Sequence, residues 1–377
     1  MQKTLSILIT LLLFWSCKTE TKEHKISEVS IEQKLQSVLD SIYFKNTNAI
    51  GILTHVESKA HNLSWNGAAG YSDKNKSSLV SEQPVLIASN TKTFISVAIL
   101  RLVEMSQLKL NQSIDSLIFK DTNVLLKSNN YNTSDISILH LLNHTSGISD
   151  YATTDDYITM VKDNPSHRYS RDEQIRLAMT LGSPLGNPGD VFSYADVNYL
   201  LLSEVIEGLT DKPFYTSVRE LLKYSELGLT NTWFSTLEDY PKHCLPLAHQ
   251  YWTSEGLDSY KVDHSFDLYG GGGIASTSKD LALFSQNLFN QNIFDQPNTI
   301  DLIYTKAAPK EPMEGDYYLG LSSINVGGFK GYGHGGFWGT AVNYFPELDT
   351  SISVFVLERD KRILRSDINK AFIKILK

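Results

Sequence analysis

Cysteine is almost missing from this chain, whose 377 residues hold only Cys17 and Cys244. A disulfide framework therefore cannot be what holds the fold together. Positive charge is also scarce: 34 Lys and Arg stand against 42 Asp and Glu, a formal net charge of -8. Duplex binding draws most of its affinity from Lys and Arg neutralising phosphates, and no basic tract is present, which excludes a nucleic-acid partner. No G-x-S-x-G occurs, so the usual nucleophile elbow of one large hydrolase class is absent. Nor is there an internal repeat or a low-complexity tract. What remains is an ordinary globular composition, 41% hydrophobic and 20% charged, long enough for one large domain or two modest ones.

The apolar run at the N-terminus, Leu5 to Trp15, is too short for a comfortable membrane span of ~20 residues. It has the layout of an export signal, and Ser16 directly before Cys17 resembles a lipoprotein cleavage site, with Phe14 where Leu is usual. Residues 1–16 are thus expected to be a lipoprotein signal peptide and Cys17 the lipidation site; a plain signal peptide cut nearby is the alternative. Lipidation would leave Cys244 without an intramolecular partner. Residues 17–30, polar and charged without apolar periodicity, read as a tether, and residues 31–377 as the folded domain. The expected location is a bacterial cell envelope, periplasmic or cell-surface, with the lipid on Cys17 as the membrane contact.

From Ile31 the apolar residues Leu35, Val38, Leu39 and Ile42 recur on one helical face. AIGILTHVES and HNLSWNGAAGYS then read as two strands of a hairpin, and YYLGLSSINV, GTAVNYFPE and SISVFVLE as three more near the C-terminus. A last helix places Ile368, Ala371, Phe372 and Ile375 on one face. Helical periodicity dominates residues from about 90 to 300. The pattern predicts an α/β fold: one mostly antiparallel sheet formed by the N- and C-terminal segments, flanked by helices, with a helical subdomain inserted between.

Ser-x-x-Lys occurs three times, at Ser89 to Lys92, Ser106 to Lys109 and Ser276 to Lys279. Context separates them. IASNTKTFISVAILRLVE runs from an extended segment into a long apolar helix, which puts Ser89 in the first turn, where free N–H groups favour negative charge on its oxygen. Lys92 follows one turn later, within reach of that oxygen. Ser276 reads as an N-cap and Ser106 as a surface residue near a helix end. His140 and His144 have the spacing of a metal pair, but no Glu follows the first, and they read as structural histidines. GYGHGG satisfies G-x-G-x-x-G but precedes a strand-like segment, so no helix N-terminus faces a pyrophosphate.

Together the segments resemble the class C β-lactamase-like serine hydrolases, within the β-lactamase and penicillin-binding-protein superfamily. WNGAAGYSD with LIASNTKTFISVAILRLVEMSQLKLNQSIDSL, LLNHTSGISDY, PGDVFSYADVNYLLLSEVIE, and GGGGIASTSKDLALF with GYGHGGFWGTAVNYFPE occur in that family's order. The resemblance implies Ser89 as the acylated nucleophile, Lys92 as its proton-relaying neighbour and Tyr194 as a second base and acid, its pKa lowered by the nearby cation. It implies an oxyanion hole from the backbone N–H groups of Ser89 and Phe337, and substrate contacts at Asp196, His334, Gly335 and Gly336. No cofactor or metal is called for.

Two departures stand out. Asp196 occupies the place of the amide in Tyr-x-Asn; an ionised carboxylate only accepts, so it is expected to pair with Lys92, with Asn198 as a possible substitute donor. His334 replaces the Lys of Lys-Thr-Gly and would offer a substrate carboxylate a cation only below about pH 6.5. Both point away from a dedicated β-lactamase. The expected activity is acyl-enzyme hydrolysis of a small-molecule or peptide substrate, an ester or amide of the D-peptide cell-envelope kind; the alternatives are a β-lactamase and a catalytically silent sensor of peptidoglycan or β-lactams.

Overall fold

A computed structural model describes residues 29–377. The expected cleavage site, Cys17 and all but the end of the expected tether lie outside the described residues. Helix α1 (Ile31–Phe44) starts with a capping box in which Ser30 and Gln33 satisfy each other's backbone N–H, and buries Leu35 and Leu39.

Six strands form the main sheet: β1 (Gly51–Ser58), β2 (Leu63–Gly70), β3 (Ser322–Val326), β4 (Phe329–Gly335), β5 (Thr340–Phe345) and β6 (Thr350–Val356). Their order is β2-β1-β6-β5-β4-β3, all antiparallel, so the two chain ends meet at the β1–β6 pair, with Ile52 opposite Val356 and Val56 opposite Ile352. The C-terminal segment thus holds four strands rather than three. β4, FKGYGHG, escapes the pattern because its alternate glycines carry no apolar side chain to alternate.

Alternation along the strands then builds two cores. On one face Ile52, Val56, Ile352 and Val354 pack with Leu35 and Leu39 of α1 and with Ile368 and Phe372 of α5 (Leu364–Leu376). Trp65 meets Phe372 edge-on at 5.7 Å. On the other face lies the helical region: α2 (Thr91–Glu104), α3 (Asp196–Thr210) and α4 (Ser278–Phe289), with α4 tied to β6 through Ser353 Oγ donating to the Ser278 carbonyl at 2.6 Å. A second, three-stranded sheet of Val85–Leu86, Ile274–Ser276 and Thr232–Phe234 feeds the chain into α2. Ser276 is a buried residue of that sheet; the N-cap of α4 is Thr277, one residue on. Ser106 is exposed just past the end of α2.

Candidate active site

Ser89 sits in a 3-10 turn, Ala88–Asn90, that runs directly into α2. Ala88 holds φ 48, a left-handed conformation that costs a residue with a Cβ and marks an over-determined turn. The Asn90 amide donates to the Ile87 carbonyl at 2.8 Å and to Thr340 Oγ1 at 2.9 Å, and the Thr340 hydroxyl donates to the same carbonyl at 2.9 Å. This clamp holds the start of β5 against the Ser89 turn. Gly336 fills the contact: a Cβ there would lie 2.1 Å from Thr340 Oγ1 and 2.3 Å from the Ile87 oxygen. Phe337 follows, and neither its N–H nor that of Ser89 has a protein acceptor among the described residues. Two free backbone donors therefore flank the cleft.

Lys92 is fully buried, and its ammonium donates to Asp196 Oδ1 at 2.5 Å, to the Gly271 carbonyl at 2.5 Å and to Ser89 Oγ at 3.2 Å. Its three hydrogens are thereby spent. Burial works against this charge, but the Asp196 carboxylate and Tyr194 outweigh it and hold the Lys92 pKa above its ordinary value. Lys92 is a fixed cation rather than a resting base.

Tyr194 sits over this cation, with Lys92 Nζ 4.8 Å from its ring centre. Its pKa is nevertheless raised, not lowered as the sequence suggested: burial leads, and Asp196 adds to it, against the pull of Lys92 and Ser89. Asp196 has already neutralised much of the Lys92 field, so Tyr194 rests as a neutral phenol.

His334 departs furthest from expectation. Its Nδ1 lies 2.6 Å from the Gly335 carbonyl, which only accepts, so Nδ1 carries the proton. Nε2 then accepts from the Tyr317 hydroxyl at 3.2 Å. Tyr317 in turn faces His144 Nε2 at 3.2 Å, and His144 Nδ1 accepts from the Ala195 N–H at 3.2 Å. Both histidines are fixed as neutral rings in one chain of hydrogen bonds, and burial with the nearby Lys92 charge pushes His334 down to about 4. Neither nitrogen is left for a substrate carboxylate. His144 is structural, as is His140, whose Nδ1 accepts from the Ser137 N–H. Asn198 is buried on the same side, its Oδ1 accepting from Ser146 at 2.7 Å, and supplies no donor to the cleft.

The cleft itself measures about 180 Å³ and is lined by Ser89, Tyr194, Asp196, Asp267, Phe266 and Phe337 among others. His334 and Gly335 line a separate groove beside Arg365, while the His334 ring centre lies 6.0 Å from that of Tyr194. Two carboxylates beside the site were not legible in the motifs. Asp150 accepts from the Asp196 N–H at 2.8 Å, and Asp267 closes one wall. Desolvation and the neighbouring Asp196 raise both, Asp150 to about 6 and Asp267 to about 7. Asp150 lies three residues beyond the Gly of His-Thr-Ser-Gly, a signal that could have been followed; Asp267 stands in a stretch without one.

The family model described as Beta-lactamase matches residues 57–364, which contain Ser89, Lys92, Asp150, Tyr194, Asp196, Asp267, His334 and Phe337. The chain belongs to the beta-lactamase family. It shares this membership with serine hydrolases, and its beta-lactamase-like fold is theirs. The chain is 31% identical over 220 residues to Protein flp of Staphylococcus aureus (strain COL), covering 56% of this chain and 36% of that protein. It is 31% identical over 192 residues to a putative D-alanyl-D-alanine carboxypeptidase of Escherichia coli (strain K12), covering 48% and 42%. The matches thus span less than half the length of these relatives. Among solved structures, D-amino acid amidase from Ochrobactrum anthropi SV3 superposes with a TM-score of 0.74 at 20% identity, covering 92% of this chain and 98% of that one.

Proposed function

We propose that this beta-lactamase-family chain hydrolyses a small ester or amide, of the D-peptide cell-envelope kind, through an acyl-enzyme on Ser89. One observation carries the proposal: the buried Lys92 ammonium, locked by Asp196 and Gly271, points at Ser89 Oγ from 3.2 Å on the floor of a cleft. A fixed cation there stabilises negative charge as it develops on that oxygen. Because Tyr194 rests neutral, it works as a relay. Ser89 Oγ bonds to the carbonyl carbon and gives its proton to the Tyr194 oxygen, while the Tyr194 proton passes to the leaving oxygen or nitrogen. The carbonyl oxygen takes its charge between the Ser89 and Phe337 N–H groups. Water then attacks the ester, and its proton returns through Tyr194 to Ser89.

The names of the relatives, a carboxypeptidase and a D-amino acid amidase, support amide cleavage. A dedicated β-lactamase is the weaker alternative, because His334 offers no cation for the β-lactam carboxylate. We propose in addition that residues 1–16 are removed and Cys17 lipidated, which Cys17→Ala tests by releasing the protein from the membrane fraction; unchanged fractionation contradicts it. The activity itself is tested by a panel of esters, D- and L-amino-acid amides and β-lactams. Turnover of esters or amides that Ser89→Ala abolishes is expected. A panel without turnover, or turnover that survives in Ser89→Ala, overturns the proposal.

A further inference from the structure

The carboxylates around Ser89 do not balance. Asp196 is engaged by Lys92, and Asp150 is engaged by the Asp196 N–H at 2.8 Å and by the Thr153 hydroxyl at 3.3 Å. Asp267 has neither: no hydrogen-bond donor and no cation among the described residues reaches its oxygens. Its carboxylate is pressed against the backbone of Gly272, where a Cβ would lie 2.1 Å from Oδ1, and its open side faces the cleft beside Ser89. One ammonium, that of Lys92, thus serves three carboxylates, and one of the three is left over. A carboxylate so placed is costly unless something charged completes it.

We propose that Asp267 receives the ammonium group of the substrate, which makes the preferred substrates amides and esters of α-amino acids with a free amine. The rest of the cleft fits this class. Ala152, Tyr157, Phe266 and Phe337 supply an apolar wall for one side chain, and about 180 Å³ accommodates a single residue rather than a long peptide. Burial first, and then the neighbouring acids, lift Asp267 to about 7, and a second cation entering beside it offsets both. The scissile carbonyl lies next to the amine-bearing carbon in such a substrate, so one anchor at Asp267 and one at the oxyanion donors fix it across Ser89.

This inference rests on Ser89 as the nucleophile, and the test separates the two. Phenylalanine p-nitroanilides, D and L, with the amine free or acetylated, are assayed on the parent, Asp267→Asn and Asp267→Ser. The readout is the ratio of kcat/KM for free over acetylated substrate, in which a general loss of activity cancels. The parent should favour the free amine, and both variants should lose that preference by about 10- to 100-fold, the worth of a hydrogen bond to a charged group. In parallel, calorimetry on Ser89→Ala protein compares phenylalaninamide with its N-acetyl form, with and without Asp267→Asn. Free-amine binding that disappears with Asp267 supports the assignment even if turnover fails, and turnover with an unchanged ratio refutes Asp267 while leaving Ser89 standing. Equal binding of the two amides, or no binding of either, overturns the proposal.

Discussion

Replacing Asp196 by Asn keeps the shape of the side chain and removes the charge nearest the Lys92 ammonium. Lys92 is fully buried and its Nζ lies 2.5 Å from Asp196 Oδ1, so the substitution leaves a cation in the interior without its direct counter-charge. Breaking a buried pair in this way costs about 3–5 kcal/mol. Asp150 and Asp267 remain nearby to share the ammonium, which places the expected loss near the lower end, about 3 kcal/mol. The pH dependence has a definite sign. In the parent the Lys92 pKa is raised, so its stabilisation is fully present below the ordinary Lys value and is lost only as pH rises through the raised one. In Asp196→Asn burial dominates and the folded-state pKa should fall below the unfolded value of about 10.4. The folded protein then binds fewer protons than the unfolded chain, and stability recovers as pH rises from about 7 towards 10. Urea denaturation of parent and variant at about pH 7 and pH 9.5 measures both effects. Lys92→Met combined with Asp196→Asn should be more stable than the sum of the single losses implies, since removing both charges leaves neither unpaired. A loss under about 1 kcal/mol at neutral pH, or one identical at the two pH values, would refute this view of the site.

Gly336→Ala should leave the fold intact but cut kcat by about 100-fold or more, because the new Cβ must push the turn between β4 and β5 away from Ile87 and carry the Phe337 N–H with it; an activity within twofold of the parent contradicts the clamp. Nitrogen NMR of the imidazoles should show His334 neutral with Nδ1 protonated from pH 5.5 to 8, since it is pushed down to about 4; an inflection near 6.5 would restore it as a carboxylate reader. Phe372→Ala should destabilise by about 3–5 kcal/mol in urea without changing KM, as this side chain fills the core between α5 and the sheet, on the face away from the cleft. A variant that unfolds no more easily than the parent would mean that this layer contributes little.

The terminal helices were legible because a core lies on one side of each and water on the other, so Leu35, Leu39, Ile368 and Phe372 recur with the helical period. β4 was not, because glycines replace the side chains that a strand pattern needs. The Lys92–Asp196 pair followed from the family resemblance and from valence together: the resemblance put a carboxylate in place of an amide, and a carboxylate can only accept. His334 could not be read the same way. Its state is set by Tyr317 and, through it, by His144 and Ala195, which the fold brings together from distant segments. For Tyr194 the sign of the shift depended on burial and on Asp196, and only the packed structure weighs these against Lys92. Asp267 belongs to the same class, a carboxylate at the end of a 3-10 turn that acquires meaning from the wall it completes.

The central claim is that Ser89, held by Lys92 and facing Tyr194 and Phe337, is the reactive nucleophile. Labelling the folded protein with a fluorophosphonate, followed by digestion and mass spectrometry, tests it most directly. The account expects one adduct per chain, on the peptide containing Ser89, absent from Ser89→Ala and weakened in Tyr194→Phe. An adduct on Ser106, Ser276 or any other residue, or an Ser89→Ala protein labelled as fast as the parent, would contradict it.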